Sequence, residues 1–500
     1  MTLAANLSEP FPLPAPVGGL NARDSLAAMP PMDAYVLDNM IADETSLSLR
    51  GGYLSLCDTG SASVESAAVY QSASAPHLLA CAGGSIYNVT SGTAIAVGTG
   101  FTNNYWSSQY LNGSTVLFNG VDTPQKYDGT SCSAATYTGT GLTSSTLCHV
   151  NLYRSRLYMV QESSMKVWYT DVTSITGALT EFDFVRIFRN GGKLLWTATW
   201  TRDAGNGMDD LFVAASNRGE MVVYQGSYPG GSDWQIVGRF DIPELLGRRS
   251  YLLLGGDLVL LTSNGALPAS SLTQYGRAVQ ATSQITDKIN LFFKVLAANY
   301  SGNTGWDAIY YPRGNYILLN VPISSDVSVQ YVCRLSSKSW SRFKNQNARC
   351  WIVCDNKLYF GDPSGNVFQA DTGNSDNGSP ISFACGQAYN LFQQNKNKLF
   401  TMIRPLMSIQ GSLTLNMSVR ADFSLKNITN PLNIINPNSS PWNTSPWNTS
   451  PWTIEKTISE WYGCGTFGRY GSVILEGEAL NTGLEWHSTD ILIEPSEGVI

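Results

Sequence analysis

The sequence predicts an all-β fold, a β-propeller-like domain joined to a β-sheet platform, and three observations lead there. The first is a recurring unit in which an apolar run ends at a polar, glycine-rich turn and resumes through an aromatic residue. Leu358-Tyr359-Phe360-Gly361 leads through Asp362-Pro363-Ser364-Gly365 to Asn366-Val367-Phe368-Gln369-Ala370. Thr115-Val116-Leu117-Phe118-Asn119-Gly120, followed by Gln125-Lys126-Tyr127-Asp128-Gly129, repeats the plan, with looser copies at 79–87, 211–224 and 258–267. Asn-Gly, Asp-Gly and Gly-Gly turns tolerate the positive φ that tight antiparallel hairpins need. The second observation is that these units recur at irregular intervals of about 30–50 residues, a length that suits propeller blades. A β-sandwich array is the alternative, and the blade number, between five and seven, is not fixed by the spacing. The third is the strict alternation of Leu413, Leu415, Met417, Val419 and Ala421 with polar neighbours, which gives a strand one buried and one wet face.

Three regions follow in chain order. Residues 1–60 form an arm in which Pro10, Pro12, Pro14 and Pro16 are expected to prevent regular structure at first. Residues 31–40 read as a short helix and Leu47-Ser48-Leu49-Arg50 as a strand. Residues 61–394 hold the hairpin-rich, propeller-like domain. Residues 395–500 form a C-terminal β platform with a loop at 439–452, where Ser-Pro-Trp-Asn-Thr repeats in tandem. Proline prevents ladder donation there, so Trp442, Trp447 and Trp452 sit on an extended or turning protrusion and are candidate partner contacts. Packing of those rings on their own domain is the competing reading. Further strands are expected at 454–461, 472–476 and 484–494.

Composition narrows the class. Of the 500 residues 14% are charged, below the ~25% of an average soluble domain. The net charge of −7, without a Lys/Arg cluster, argues against a dedicated nucleic-acid grip. Nine cysteines, odd in number and lacking a Cys-x-x-Cys pair, read as buried free thiols made in a reducing cytoplasm. The proline-rich start lacks the basic and apolar regions of a signal peptide, and no stretch approaches the ~20 apolar residues of a membrane span.

Residues for chemistry are sparse. His77, His149 and His487 are far apart, and His487 reads as structural. Gly463-Cys464-Gly465-Thr466-Phe467-Gly468 matches a dinucleotide fingerprint, but the following residues read as a strand rather than the helix that mechanism requires, so the match is expected to be a turn or bulge. Asp209, Asp210, Asp241 and Glu244 are the carboxylates that a propeller glycosidase could pair at its channel mouth. No catalytic residue, metal site or cofactor is expected.

Gly18-Gly19-Leu20-Asn21-Ala22-Arg23-Asp24, then Leu37-Asp38-Asn39-Met40 and Arg50-Gly51-Gly52-Tyr53, resemble the N-terminal signature of structural proteins of tailed bacteriophages. Phe118-Asn119-Gly120 with Tyr127-Asp128-Gly129, the segment Asn151 to Tyr158 and the closing Gly483-Leu484-Glu485-Trp486-His487-Ser488-Thr489-Asp490 continue the resemblance in order. Within that group the chain looks most like the propeller-bearing nozzle or hub proteins of short-tailed phages. The resemblance implies a non-enzymatic virion protein, made in the host cytoplasm and assembled as a hexameric tail tube below the portal and adaptor. It also implies contacts with tail fibres or tip proteins and passage of DNA without stable binding, for which an acidic lumen is apt. The arm, with Arg23 and Asp24 as candidate partner contacts, would help to build the platform. A carbohydrate-binding or carbohydrate-cleaving propeller and a receptor-binding tail tip are the alternatives, and the Ser-Pro-Trp repeat is foreign to the resemblance.

Overall fold

The computed structural model describes residues 9–60, 62–203, 208–275, 284–392, 395–411, 413–424, 431–434 and 455–495. Of the described residues 54% are in strands and 5% in helices. Six four-stranded blades succeed one another along the sequence. They span Val64–Thr99, Ser107–Ala134, Leu147–Asp183, Leu194–Asp241, Asp307–Phe343 and, last, Cys350–Ala370. A three-stranded sheet, Tyr251–Pro268, stands between the fourth and fifth blades. The first strand of each sheet packs beside the first strand of the next, except that Leu194–Asp203 meets Asp257–Thr262 of the three-stranded sheet, and the last blade returns to the first, so the sheets close a ring.

The hairpins form where the turn chemistry places them. Gly83 and Gly84 both take positive φ, 54° and 74°, in the tight turn joining His77–Ala82 to Ser85–Asn88. At the 358–370 unit the Asp362 carboxylate accepts from the backbone N–H groups of Ser364 and Asn366, at 2.9 and 2.7 Å, and folds the turn onto itself. Asn119 does the same for Val121 and Asp122, at 3.0 and 2.8 Å. Between successive blades the wedges are apolar. Leu79, Ile86, Trp106, Leu117 and Tyr127 fill the space between the first and second.

The ring is closed by the arm. Tyr53–Asp58 pairs antiparallel with Asn366–Ala370 and supplies the outermost strand of the last blade. A strand from one end of the ring thus completes a sheet begun at the other, so opening the propeller requires breaking a whole ladder.

The platform is a sandwich of two sheets. One contains Lys398–Gln410 paired along its length with Gly483–Pro495, flanked by Glu9–Pro14, Leu47–Leu49, Glu455–Ile458 and Tyr462–Gly468. The other runs Asp33–Asp38, Ile381–Gln387, Gly471–Ala479, Leu413–Ala421, Pro431–Ile434. Phe400, Ile403, Met407 and Ile409 from the first meet Leu415, Met417, Val419, Val473 and Leu475 from the second in one dry core. The second sheet continues into the ring, because Asp38 is the backbone partner of Arg342 on the outer strand of the fifth blade.

Two local expectations are corrected. Residues 33–38 are a strand, not a helix, held between Ile381–Gln387 and the fifth blade. The proline-rich start is also a strand. It occupies an edge, and Pro10, Pro12 and Pro14 share one parity, so their missing N–H groups point away from the ladder to Gly483–Pro495. Tyr462–Gly468 is a strand that carries the expected bulge, an extra residue at Cys464–Gly465 opposite Phe400–Met402. The helix Asn290–Tyr300, seated by Phe293 and Ala297 on the core, is absent from the sequence reading.

Candidate functional site

Asn21, Asp38, Asn39 and Arg50 of the arm are scaffold residues, with partners that give each a mechanical role. Arg50 is 1% exposed and places all its donors. Nε donates to Asn39 Oδ1 at 2.9 Å, Nη1 to Asp376 Oδ1 at 2.8 Å and to the Gly51 carbonyl, and Nη2 to Asp376 Oδ2 at 2.7 Å and to the Lys344 carbonyl. A rigid, forked guanidinium is suited to such a junction. Asn39 sits at φ 55° and also donates to the Ser382 carbonyl at 2.6 Å. Asp38 receives Arg342 Nε at 2.6 Å and Lys344 Nζ at 2.6 Å, which pins arm to fifth blade beside their backbone bridge. A Cβ on Gly52 would overlap the Ser375 carbonyl.

Arg23 and Asp24 belong to a second junction. Arg23 Nε donates to Asp24 Oδ1 at 2.9 Å, and its Nη1 reaches Asp287 just before the helix Asn290–Tyr300. Arg23 holds the Asp24 carboxyl down to about 2. Asn21 bridges Asp24 and Asp33, and Lys288 Nζ lies 2.8 Å from Asp33 Oδ1. Trp442, Trp447 and Trp452 lie outside the described residues.

A concave site of different character opens on the propeller axis. Its cavity of about 460 Å³ is lined from four blades and the three-stranded sheet. Its walls gather where the innermost strands begin. Tyr105 and Trp106 precede Ser107–Leu111, Arg248 and Arg249 precede Tyr251–Leu254, and Asp307 opens Asp307–Tyr311. Such volumes are typical of small-molecule sites, ~300–1,000 Å³.

His149 on the third blade is buried in this wall. Its Nε2 lies 2.9 Å from the Thr197 carbonyl, which can only accept, so Nε2 carries the proton and Nδ1 accepts from the Ser107 hydroxyl at 3.3 Å. Burial pushes its pKa down to about 4, so the ring is neutral. Asp307 accepts from the backbone N–H groups of Ala308 and Trp351, at 3.0 and 3.2 Å, and burial raises its pKa while Arg249 pulls the other way. Arg248 is paired with Glu162, which also takes Lys193 Nζ at 2.7 Å. Arg249 has less. Its Cζ stands 4.2 Å from the Tyr105 ring centroid, Nη2 makes one long 3.4 Å bond to the Trp106 carbonyl, and buried Nη1 donates to nothing.

The carboxylates singled out by sequence do not converge here. Asp210 accepts from Thr201 within the fourth blade at 2.8 Å, Asp241 lies on that blade's outermost strand, and Glu244 borders a separate pocket against the helix Asn290–Tyr300. Asp209 belongs to the strand Met208–Ser216, second from the axis in the same blade. His487 packs at the platform, its Nε2 3.3 Å from Ser408 Oγ. Among the described residues no group of three or more His, Cys, Asp or Glu side chains is placed to hold a metal, and no helix is long and apolar enough to cross a membrane.

The ring defines the class, a β-propeller with six four-stranded blades extended by a platform. No protein-family model matches the sequence, and no curated protein does. Among solved structures, YCF48 bound to a D1 peptide shares 12% identity over 74% of this chain and 96% of that one, with a TM-score of 0.36. BBS1N in complex with ARL6DN shares 9% identity over 66% and 99%, with a TM-score of 0.39. An exo-β-1,3-galactanase from Phanerochaete chrysosporium with galactose shares 8% over 76% and 95%, at 0.25. With TM-scores this low none of them carries an argument, and the class rests on the ring itself.

Proposed function

We propose that the chain is a non-enzymatic structural subunit of a short phage tail, built into a tube of about six copies below the portal and adaptor, through which DNA is retained and then passed. The observation that supports this most is where the resembling residues lie. Asp38, Asn39, Arg50 and the segment 483–490 are the joints that lock arm, ring and platform together, as a subunit under mechanical load requires and a free-standing binding domain does not. The net charge of −7 also has the sign that lets a polyanion slide rather than stick. In this reading the platform meets neighbouring subunits and the adaptor, and the ring faces tail fibres or tip proteins.

The test is the mass of the purified chain in solution, alone and with a portal-adaptor complex, followed by negative-stain images. A ring or tube of about six subunits on the adaptor is the expected outcome. A monomer at high concentration that ignores the adaptor overturns the reading.

A further inference from the structure

We infer that the axial cavity of the propeller is a binding site for a small, carboxylate-bearing molecule of sugar-like size, with Arg249 as the anchoring residue. The inference does not depend on the tail assignment.

Its first support is the kind of polar group left over. Two buried polar atoms at the cavity wall have no partner, Arg249 Nη1 and Trp106 Nε1, and both are donors. Buried donors are costly when unmet, and native structures meet nearly all of them. Two unmet donors on residues that line one cavity, one of them on a guanidinium, call for an acceptor-rich, anionic group. Carboxylate is the planar acceptor that a guanidinium fork matches in geometry.

Charge gives the second support. Arg248 and Lys193 share a single carboxylate, Glu162, so that cluster keeps an excess positive charge beside Arg249. His149 is neutral, and Arg248, Arg249 and Lys193 outnumber Glu162 and Asp307 even with both carboxylates ionised. The cavity is therefore cationic within a chain whose net charge is −7. Low-dielectric walls concentrate that field on the space between them.

The remaining wall fits the body of such a ligand. Tyr105 and Tyr251 offer aromatic surface, while Ser108 and Asp307 offer polar contacts to hydroxyl groups. Arg249 is held by its stacking on Tyr105, one 3.4 Å bond and the attraction of Asp307, with no short hydrogen bond to fix it, so a small rotation carries the fork to an incoming carboxylate.

The experiment titrates the full chain with glucuronate, and in parallel with glucose and inorganic phosphate, by calorimetry. Saturable binding of glucuronate, not matched by glucose or phosphate, is expected. It should weaken at least about tenfold in R249Q, the loss of one charge-assisted hydrogen bond. Because R249Q alters a buried position, S108F serves as a second variant that fills the cavity without touching the charge, and it too should abolish binding. Absence of saturable binding, equal binding of glucose or phosphate, or undiminished binding in a folded R249Q or S108F overturns the inference.

Discussion

The ring and the platform are both built of antiparallel strands, yet they differ in how far along the chain a strand must reach for its neighbour. Within a blade the partners are neighbours along the chain, as in Tyr153↔Arg156 or Ala82↔Ser85, save where the arm strand Tyr53–Asp58 joins the last blade. In the platform Glu9 pairs with Ile493, Ala34 with Gln387 and Lys398 with Pro495. Local pairs close cheaply, whereas distant ones must overcome the entropy of a long loop before they return any stability. The ring therefore gains its structure from turn chemistry repeated many times, and the platform from a few specific locks. Arg50 is the most heavily bonded of these.

The largest effect expected is at that lock. R50A leaves Asp376 buried and unpaired and should cost about 3–5 kcal/mol, measured by urea unfolding. A loss below about 1 kcal/mol would show that the arm is held by its strands alone, and would erase the contrast drawn above. Next come paired core truncations. L475A in the platform and L117A in the ring, both fully buried, should each cost about 2–5 kcal/mol. What separates them is location. Hydrogen exchange should report lost protection confined to the first two blades for L117A, and spread through arm, platform and fifth blade for L475A, whose core joins all three.

A third, comparable effect is the pH dependence of the ring. His149 has a folded pKa of about 4 against 6.5 unfolded, so between those values the unfolded chain binds the extra proton. Its contribution is complete above about pH 6.5 and is lost as pH falls to about 4, a change of order 3 kcal/mol. H149Q should flatten the stability profile across that window, and an unchanged slope would assign the acid sensitivity elsewhere. The smallest effect is chemical. All nine cysteines are free thiols, and seven are buried, so a thiol reagent should modify Cys132 and Cys464 in the native protein and the others only on unfolding.

The same contrast explains what was legible beforehand. Asp362, Asn119 and the Gly83-Gly84 pair announce their turns locally, and the hairpins formed where they predict. The strand 413–421 was legible because one of its faces is dry. Residues 33–38 misled because their burial comes from two remote neighbours, Ile381–Gln387 and the fifth blade, which no short window contains. Pro10, Pro12 and Pro14 misled for a related reason, since only a partner more than 470 residues away reveals that their parity suits an edge. The axial site is harder still. Trp106, His149, Arg249 and Asp307 each come from a different sheet, and none has a motif around it. What marks the site is the pair of donors left over after folding, on Trp106 and Arg249, a property that exists only once the ring has closed.

The ladder from Glu9 to Ile493 has a further consequence for anyone who would rebuild this protein. It brings the two ends of the described chain side by side on one sheet edge, so a short peptide could join them without bending the fold. New ends could then be cut into an exposed interblade turn, since each of the first four blades is complete within one stretch of chain and the arm strand 53–58 would still zip the last one shut. Such a permuted chain offers a way to hang a probe or a fibre from any chosen blade.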